Sequence, residues 1–238
     1  DKVFYERKMQ GAGSAQSPMS GKFEGKNLIM IMMESIDTWM ITEDYMPNLY
    51  SVQQESIRFI NHYSPIFINA ATFNSEFTAL TGLIPPPAGI KQSAYTQNNF
   101  SMALPALFRK HGYRAESFHS ASPIIYNRGA IHENLGFTKY NSYYHMGMDD
   151  YMRDSQLIRG YEKMVGTEPF FSFIITYSGH GPYTDKMSNI SNPHYERALA
   201  AVKKNGITSS QENMEEYTRA VAHAMETDEF IGELMERL

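Results

Sequence analysis

The stretch EPFFSFIITYSGHGPY, residues 168–183, decides the fold. Its segment 169–178 is almost unbroken in apolar and aromatic side chains, which is the pattern of a strand covered on both faces. It runs into a Gly/Pro loop that holds His180. Two further segments repeat the arrangement: NLIMIMM at 27–33 is followed by Glu34, and YRAESFH at 113–119 ends on His119. In open α/β sheets, ligands bind beyond the carboxyl ends of the strands, where backbone groups and helix N-termini converge on anions. Three ionisable residues at three strand ends therefore predict a site along one edge of a parallel sheet.

Between these strands the sequence reads as helix. MPNLYSVQQES at 46–56 carries a proline near its start, and IRFINHYS at 57–64 then reads as extended. Thr72 opens TFNSEFTALTG, a predicted helix over 72–81 stopped by Gly82. Helix signals recur at 101–112, at 128–136 with Gly136 as the cap, at 149–165, and from about 193 to the end. The alternation predicts an α/β fold with a mostly parallel central sheet and helices on both faces. Residues 1–26 are polar with a Gly/Ser/Ala/Pro stretch and read as a leader or linker, so the folded domain is expected over 27–238. A chain that starts at Asp1 rather than methionine is also expected to have been cut from something longer.

Composition narrows the chemistry. The 238 residues carry a formal charge of -5, with no Lys/Arg run longer than two, which is not the footprint of a general nucleic-acid binder. With no cysteine there are no disulfides, thiolate metal sites or cysteine nucleophiles. No apolar run approaches the roughly 20 residues needed to cross a bilayer. Neither GxGxxG nor GxxxxGK[ST] occurs, so those modes of nucleotide binding have no support.

Each candidate residue has two readings. Glu34 is a ligand for a divalent cation or a hydrogen-bonded capping acid. Thr72 is a helix cap, or a nucleophile if a metal ion or base lies beside it. His119 and His180 suit phosphate contact and proton transfer, whereas a lone histidine is more often structural. Arg128 opens a helix and is either an anion clamp or half of a surface ion pair. Tyr126 is a packing aromatic or a wall for a polyol. His62, His111, His132, His145, His194 and His223 are assigned to turns or polar helix faces.

Taken together, NLIMIMMES, MPNLYSV, NAATFNSEF, LPALFRKHGY, FHSASPIIYNR with LGF, and EPFFSFIITYSGHGPY resemble the extracellular catalytic domain of lipoteichoic acid synthases and related phosphoglycerol transferases, in the alkaline phosphatase and sulfatase superfamily. The resemblance implies one divalent metal, commonly manganese, with magnesium and zinc as alternatives. Glu34 and Thr72 match two of its ligands, and Thr72 matches the nucleophile. His119, Arg128 and His180 fall on positions that bind the phosphoglycerol group, and Tyr126 stands where many members have tryptophan. The implied reaction passes a glycerophosphoryl group from phosphatidylglycerol, through Thr72, to a glycerophosphate or glycolipid acceptor, with His180 positioning phosphate or moving a proton. The implied location is the extracellular face of the bacterial cytoplasmic membrane, held there by transmembrane helices outside this chain.

The resemblance also implies a late Asp-His metal pair, and no DH dipeptide occurs in the sequence. The expectation is a C-terminally truncated domain lacking its last strands, with an inactive fragment as one outcome. Competing expectations are a phosphoethanolamine transferase, a hydrolase of the same superfamily, and a non-catalytic module that binds glycerophosphate polymer. A sulfatase proper is disfavoured by the absence of both cysteine and SxPxR.

Overall fold

A computed structural model describes residue 3 and residues 18–61, 72–85 and 92–238. Four parallel strands form the sheet: β1 (Leu28–Met32), β2 (Arg114–His119), β3 (Lys139–Asn141) and β4 (Phe170–Ile175). Their spatial order is β1-β4-β2-β3. β4 is thus central, paired from Leu28↔Phe171 to Met32↔Ile175 on one side and from Arg114↔Phe170 to His119↔Ile175 on the other. That position explains its composition, because all six of its residues are buried.

Alternation along β4 sorts the core into two layers. Phe171, Phe173 and Ile175 face one side, packed with Ala115, Met30 and Met32 against α2 (Thr72–Thr81), α3 (Leu104–Lys110) and α4 (Arg128–Leu135). Ile174, Phe118, Ile29 and Ile31 face the other, against Leu157, Met164 and the end of α6 (Gln211–Arg237) at Phe230, Ile231 and Leu234. Two shorter elements, α1 (Pro47–Gln54) and α5 (Tyr195–Lys204), close a satellite cluster over the outer side of α6. Residues 218–228 of α6 are buried all round, since the helix is packed between the sheet and this outer cluster. Asp228 there accepts hydrogen bonds from the Asn48 and Leu49 amides at 3.1 and 2.8 Å, capping α1 from 180 residues away.

Two sequence expectations are corrected and one strand is added. Residues 57–61 form no strand but an exposed loop and turn, and the rest of that segment, with His62, lies outside the described residues. The helix expected over 149–165 is instead a 3-10 helix, Asp154–Gly160, and one α turn, Tyr161–Met164. Its tight start follows from Asp154, whose buried carboxylate accepts from the Tyr177 and Ser178 amides at 2.7 and 3.0 Å instead of facing solvent. The short strand β3 was not foreseen, because KYN has neither the length nor the alternation of a strand signal. Residues 18–26 are exposed turns ahead of β1. No described helix is long and apolar enough to cross a membrane.

Candidate active site

Glu34, Thr72, His119, Tyr126, Arg128 and His180 all line one cleft of about 530 Å³ beyond the carboxyl ends of the strands. Six residues from five separate stretches of sequence meet there.

The Glu34 corner is built by two loops in close contact. The Glu34 amide donates to Thr176 Oγ1 at 2.8 Å, tying the exit of β1 to that of β4. A Cβ on Gly179 would lie 1.9 Å from the Glu34 carbonyl oxygen, so only glycine lets the two loops approach this closely. Ser35 turns the chain with φ 52 and donates its hydroxyl to Glu34 Oε1 at 3.0 Å. Thr72, the first residue of α2, donates its hydroxyl to Glu34 Oε2, also at 3.0 Å. With its proton directed at the carboxylate, Thr72 Oγ1 leaves its lone pairs for the cleft.

Arg128 is not the half of a surface ion pair that sequence alone allowed. It is 1% exposed, and its Nε donates to both oxygens of Glu76, at 3.1 and 3.0 Å. Glu76 lies one turn along α2 from Thr72, so the helix that presents Thr72 also anchors the arginine. Burial alone would raise the Glu76 pKa, but Arg128 and His132 outweigh it and hold the carboxyl down at about 2. The terminal nitrogens of Arg128 are left free of Glu76 on a residue that lines the cleft. Its guanidinium also lies 5.2 Å from the centroid of the Tyr126 ring. Tyr126 and Asn127 adopt φ 56 and 54, so the turn carrying the aromatic wall holds two strained residues in succession.

His119 is buried, and its Nδ1 donates to the Ile175 carbonyl at 2.9 Å. Burial first, then the charge of Arg128, push its pKa down to about 3. The imidazole is therefore neutral near pH 7, with Nε2 an acceptor suited to a ligand hydroxyl. His180 is exposed on the loop after β4, in contact with the Gly181 carbonyl through Nδ1 and stacked on Tyr177 with ring centroids 5.5 Å apart. Burial pushes Asp154, which holds the start of that loop, up to about 6, although its hydrogen bonds to Tyr177, Thr227 and Ser178 act in the opposite direction.

Sequence reasoning missed Glu76, Ser120, Tyr143, Tyr151, Thr176 and Tyr177. All but Glu76 line the cleft. Ser120 Oγ is buried there without a partner. Its position one residue past His119 was the available signal. The tyrosines gave none, since periodicity does not separate rim from core.

The histidines assigned to turns or polar faces also need correction, because His132, His194 and His223 are buried. His132 Nδ1 lies 2.7 Å from Ser117 Oγ, beneath the Arg128–Glu76 pair. His223 packs edge-on against Tyr183, and burial pushes its pKa down to about 4. His194, Glu226 and Glu229 bring ligand atoms within 4.8 Å of one another. Arg153 Nη2, however, lies 3.1 Å from the Glu226 Oε2 that also meets His194, so a cation is already on that oxygen. The cluster reads as an ion-pair network, and none of it lines the cleft.

The family model described as Sulfatase matches residues 26–238. The chain is 29% identical over 184 residues to a Rhizobium meliloti protein whose name assigns it, provisionally, to cyclic beta-1,2-glucan modification; the match covers 70% of this chain and 27% of that protein. It is 27% identical over 180 residues to the lipoteichoic acid synthase of Staphylococcus saprophyticus, covering 69% of this chain and 28% of the synthase. The chain thus spans little more than a quarter of the length of these relatives. Among solved structures, the lipoteichoic acid synthase LtaP from Listeria monocytogenes superposes with a TM-score of 0.72 at 20% identity, over 94% of this chain and 55% of that one. The periplasmic domain of EptC from Escherichia coli gives 0.52 at 13% identity, covering 89% and 58%. These two likenesses establish a shared fold.

Proposed function

Because this chain belongs to the sulfatase family, we propose that its cleft transfers a phosphoglycerol group from phosphatidylglycerol to an acceptor hydroxyl, with Thr72 as the nucleophile. The observation that carries the reading is the Thr72 hydroxyl, 3.0 Å from Glu34, in a cleft that Arg128 also lines. A threonine that merely capped its helix would have no need of a buried arginine clamp beside it.

Glu34 and Thr72 present two oxygens spaced as neighbouring ligands of one small, hard cation, and such donors favour manganese or magnesium over zinc. Bound there, a divalent ion would lower the pKa of the Thr72 hydroxyl and offset phosphate charge. The rest falls to this chain's own side chains. Arg128, fixed through Nε, offers its terminal N–H groups to phosphate oxygens without the cost of ordering a free side chain. His119 accepts from a glycerol hydroxyl at Nε2, and Tyr126 forms a wall for the carbon backbone of the headgroup. Thr72 Oγ1 attacks phosphorus, the bond to diacylglycerol breaks, and the diacylglycerol oxygen takes a proton. His180, exposed on the loop after β4, is placed to carry protons to and from the acceptor.

The acceptor is a hydroxyl of a glycerophosphate, glycolipid or glucan, and the reaction belongs at the extracellular face of the cytoplasmic membrane. An ethanolamine headgroup fits less well. Its ammonium calls for an anionic wall, and the only carboxylate lining the cleft among the described residues is Glu34, which the divalent ion would occupy. A polymer-binding module without turnover would leave Thr72 idle.

The test is incubation with manganese and labelled phosphatidylglycerol or phosphatidylethanolamine, followed by mass spectrometry of the protein. A glycerophosphoryl adduct on Thr72, absent from Thr72→Ala, is the expected result, with turnover falling by about 10³-fold or more. Full turnover by Thr72→Ala would overturn the mechanism. An adduct formed only from phosphatidylethanolamine would change the headgroup.

A further inference from the structure

The cleft has two unlike halves. One holds Arg128, the only Lys or Arg lining it among the described residues, together with Glu34, Thr72 and His119. The other is a continuous series of rings. Tyr143 lies 6.4 Å from Tyr151, Tyr151 lies 6.1 Å from Tyr177, and Tyr177 stacks on His180 at 5.5 Å, centroid to centroid. The series begins at the surface, where Tyr143 and Tyr151 are 42% and 47% exposed, and ends beside the reacting groups. Neither outer ring is packed as a core residue would be.

We infer that Tyr143, Tyr151 and Tyr177 form the acceptor subsite and that the acceptor is a neutral saccharide. This deepens the transfer reading proposed above and rests on it. Flat apolar faces edged with phenol hydroxyls match the two sides of a sugar ring, its axial C–H face and its equatorial hydroxyls. Rings spaced about 6 Å apart along one wall engage successive sugar units.

Charge separates this ligand from a polyanionic acceptor. Among the described residues no Lys or Arg lines the tyrosine half of the cleft, since Arg128 lies in the other half. A glycerophosphate chain laid along the tyrosines would meet no cation to receive it, and a neutral sugar needs none. In the transfer step, an acceptor hydroxyl oxygen bonds to phosphorus, the bond from phosphorus to Thr72 Oγ1 breaks, and the acceptor's proton ends on Thr72, restoring its hydroxyl.

Binding is measured by calorimetry and by NMR line broadening, with a neutral β-glucan oligosaccharide, a glycerophosphate oligomer and phosphatidylglycerol vesicles as the three probes. The oligosaccharide binds; Tyr151→Ala and Tyr143→Ala each weaken it by roughly three- to tenfold, and Tyr151→Phe retains most of the affinity. Thr72→Ala binds the oligosaccharide as well as the parent does, so a failed transfer mechanism and a failed acceptor subsite give different results. Three outcomes would overturn the subsite: no oligosaccharide binding at millimolar concentration, tyrosine-dependent binding of the glycerophosphate oligomer in its place, or tyrosine-dependent adsorption to vesicles alone.

Discussion

Two buried glutamates, Glu76 and Glu226, look alike in every local measure and differ in what they leave unused. Each is essentially inaccessible, each meets an arginine and a histidine, and each is held at about 2 against a burial that acts to raise it. Glu226 consumes what surrounds it. Arg153 donates to it through Nε and Nη2, Ser155 through both amide and hydroxyl, and His194 lies 2.6 Å away. Glu76 takes only Nε of Arg128, on a residue whose guanidinium lines the cleft. A depressed carboxylate pKa therefore marks a buried ion pair in both places, and a candidate site only where the paired cation also lines a cleft.

The sharpest way to break this comparison is to neutralise both glutamates. Glu76→Gln keeps the shape but loses the charge that fixes Arg128, and turnover falls by about 10²-fold, mostly in kcat, from the misplaced guanidinium. Glu226→Gln is expected to lower stability by about 3 kcal/mol, by leaving Arg153 and His194 without their charge, while turnover per folded molecule stays near that of the parent. Chemical denaturation and steady-state kinetics on both variants check the pair. Equal loss of activity in the two would remove the distinction.

Next in size is the contact between the loops after β1 and β4. Gly179→Ala places a methyl group against the Glu34 carbonyl, so either the two loops separate or the Glu34 corner shifts. The expected outcome is at least a tenfold loss of manganese affinity at nearly unchanged secondary structure. Isothermal titration with manganese beside far-UV circular dichroism reads both quantities.

Acidification tests the carboxylates together. Glu76 and Glu226 have folded pKa values near 2 against an ordinary 4.5, so their stabilisation is complete above about 4.5 and lost as pH falls toward 2. Asp154 has the opposite sign. Its folded pKa, raised to about 6 from an ordinary 3.8, makes the folded state bind more protons in that window, so stability rises as pH falls from 6 toward 4. His119 and His223 oppose it: held neutral down to about 3 and 4, they take no proton in the folded state below an ordinary 6.5, so each lowers stability as pH falls through the same window, and together they outweigh Asp154. A melting temperature that declines from about pH 6.5 downward, and more steeply below about 4.5, is the expected profile; Asp154→Asn steepens the decline between 6 and 4, whereas Glu226→Gln makes it shallower below 4.5.

Much of the cleft was legible in the sequence because its residues follow strand ends, and apolar runs locate strand ends well. Glu34, His119 and His180 were found that way, and Thr72 and Arg128 because each opens a helix. What could not be read was contact between elements. Glu76 looked like an ordinary acid inside a helix, and nothing near it in sequence announces Arg128, 52 positions on. Asp228 falls near the same helix face as Val221, Met225 and Ile231, and nothing in that pattern announces that it caps α1. In β3 and in the helix expected over 149–165, local pattern failed because register with β2 and the buried Asp154 carboxylate set the backbone instead.

The smallest expected effect is at Tyr126, on the Glu76 side of the comparison, where its ring lies against the guanidinium that Glu76 fixes. The ring is 36% exposed on a turn with positive φ, so little packing depends on its identity. Tyr126→Trp enlarges the face presented to both Arg128 and the headgroup, and adds an N–H donor in exchange for the phenol hydroxyl. A cation–π contact at such a site is worth about 0.5–1 kcal/mol, so the exchange should lower KM for phosphatidylglycerol by no more than about threefold and leave kcat unchanged. Tyr126→Ala should raise KM by a similar factor. If Tyr126→Ala instead lowered kcat as strongly as Glu76→Gln does, the ring would share in holding Arg128 in place, and the separation between anchor and wall would not stand.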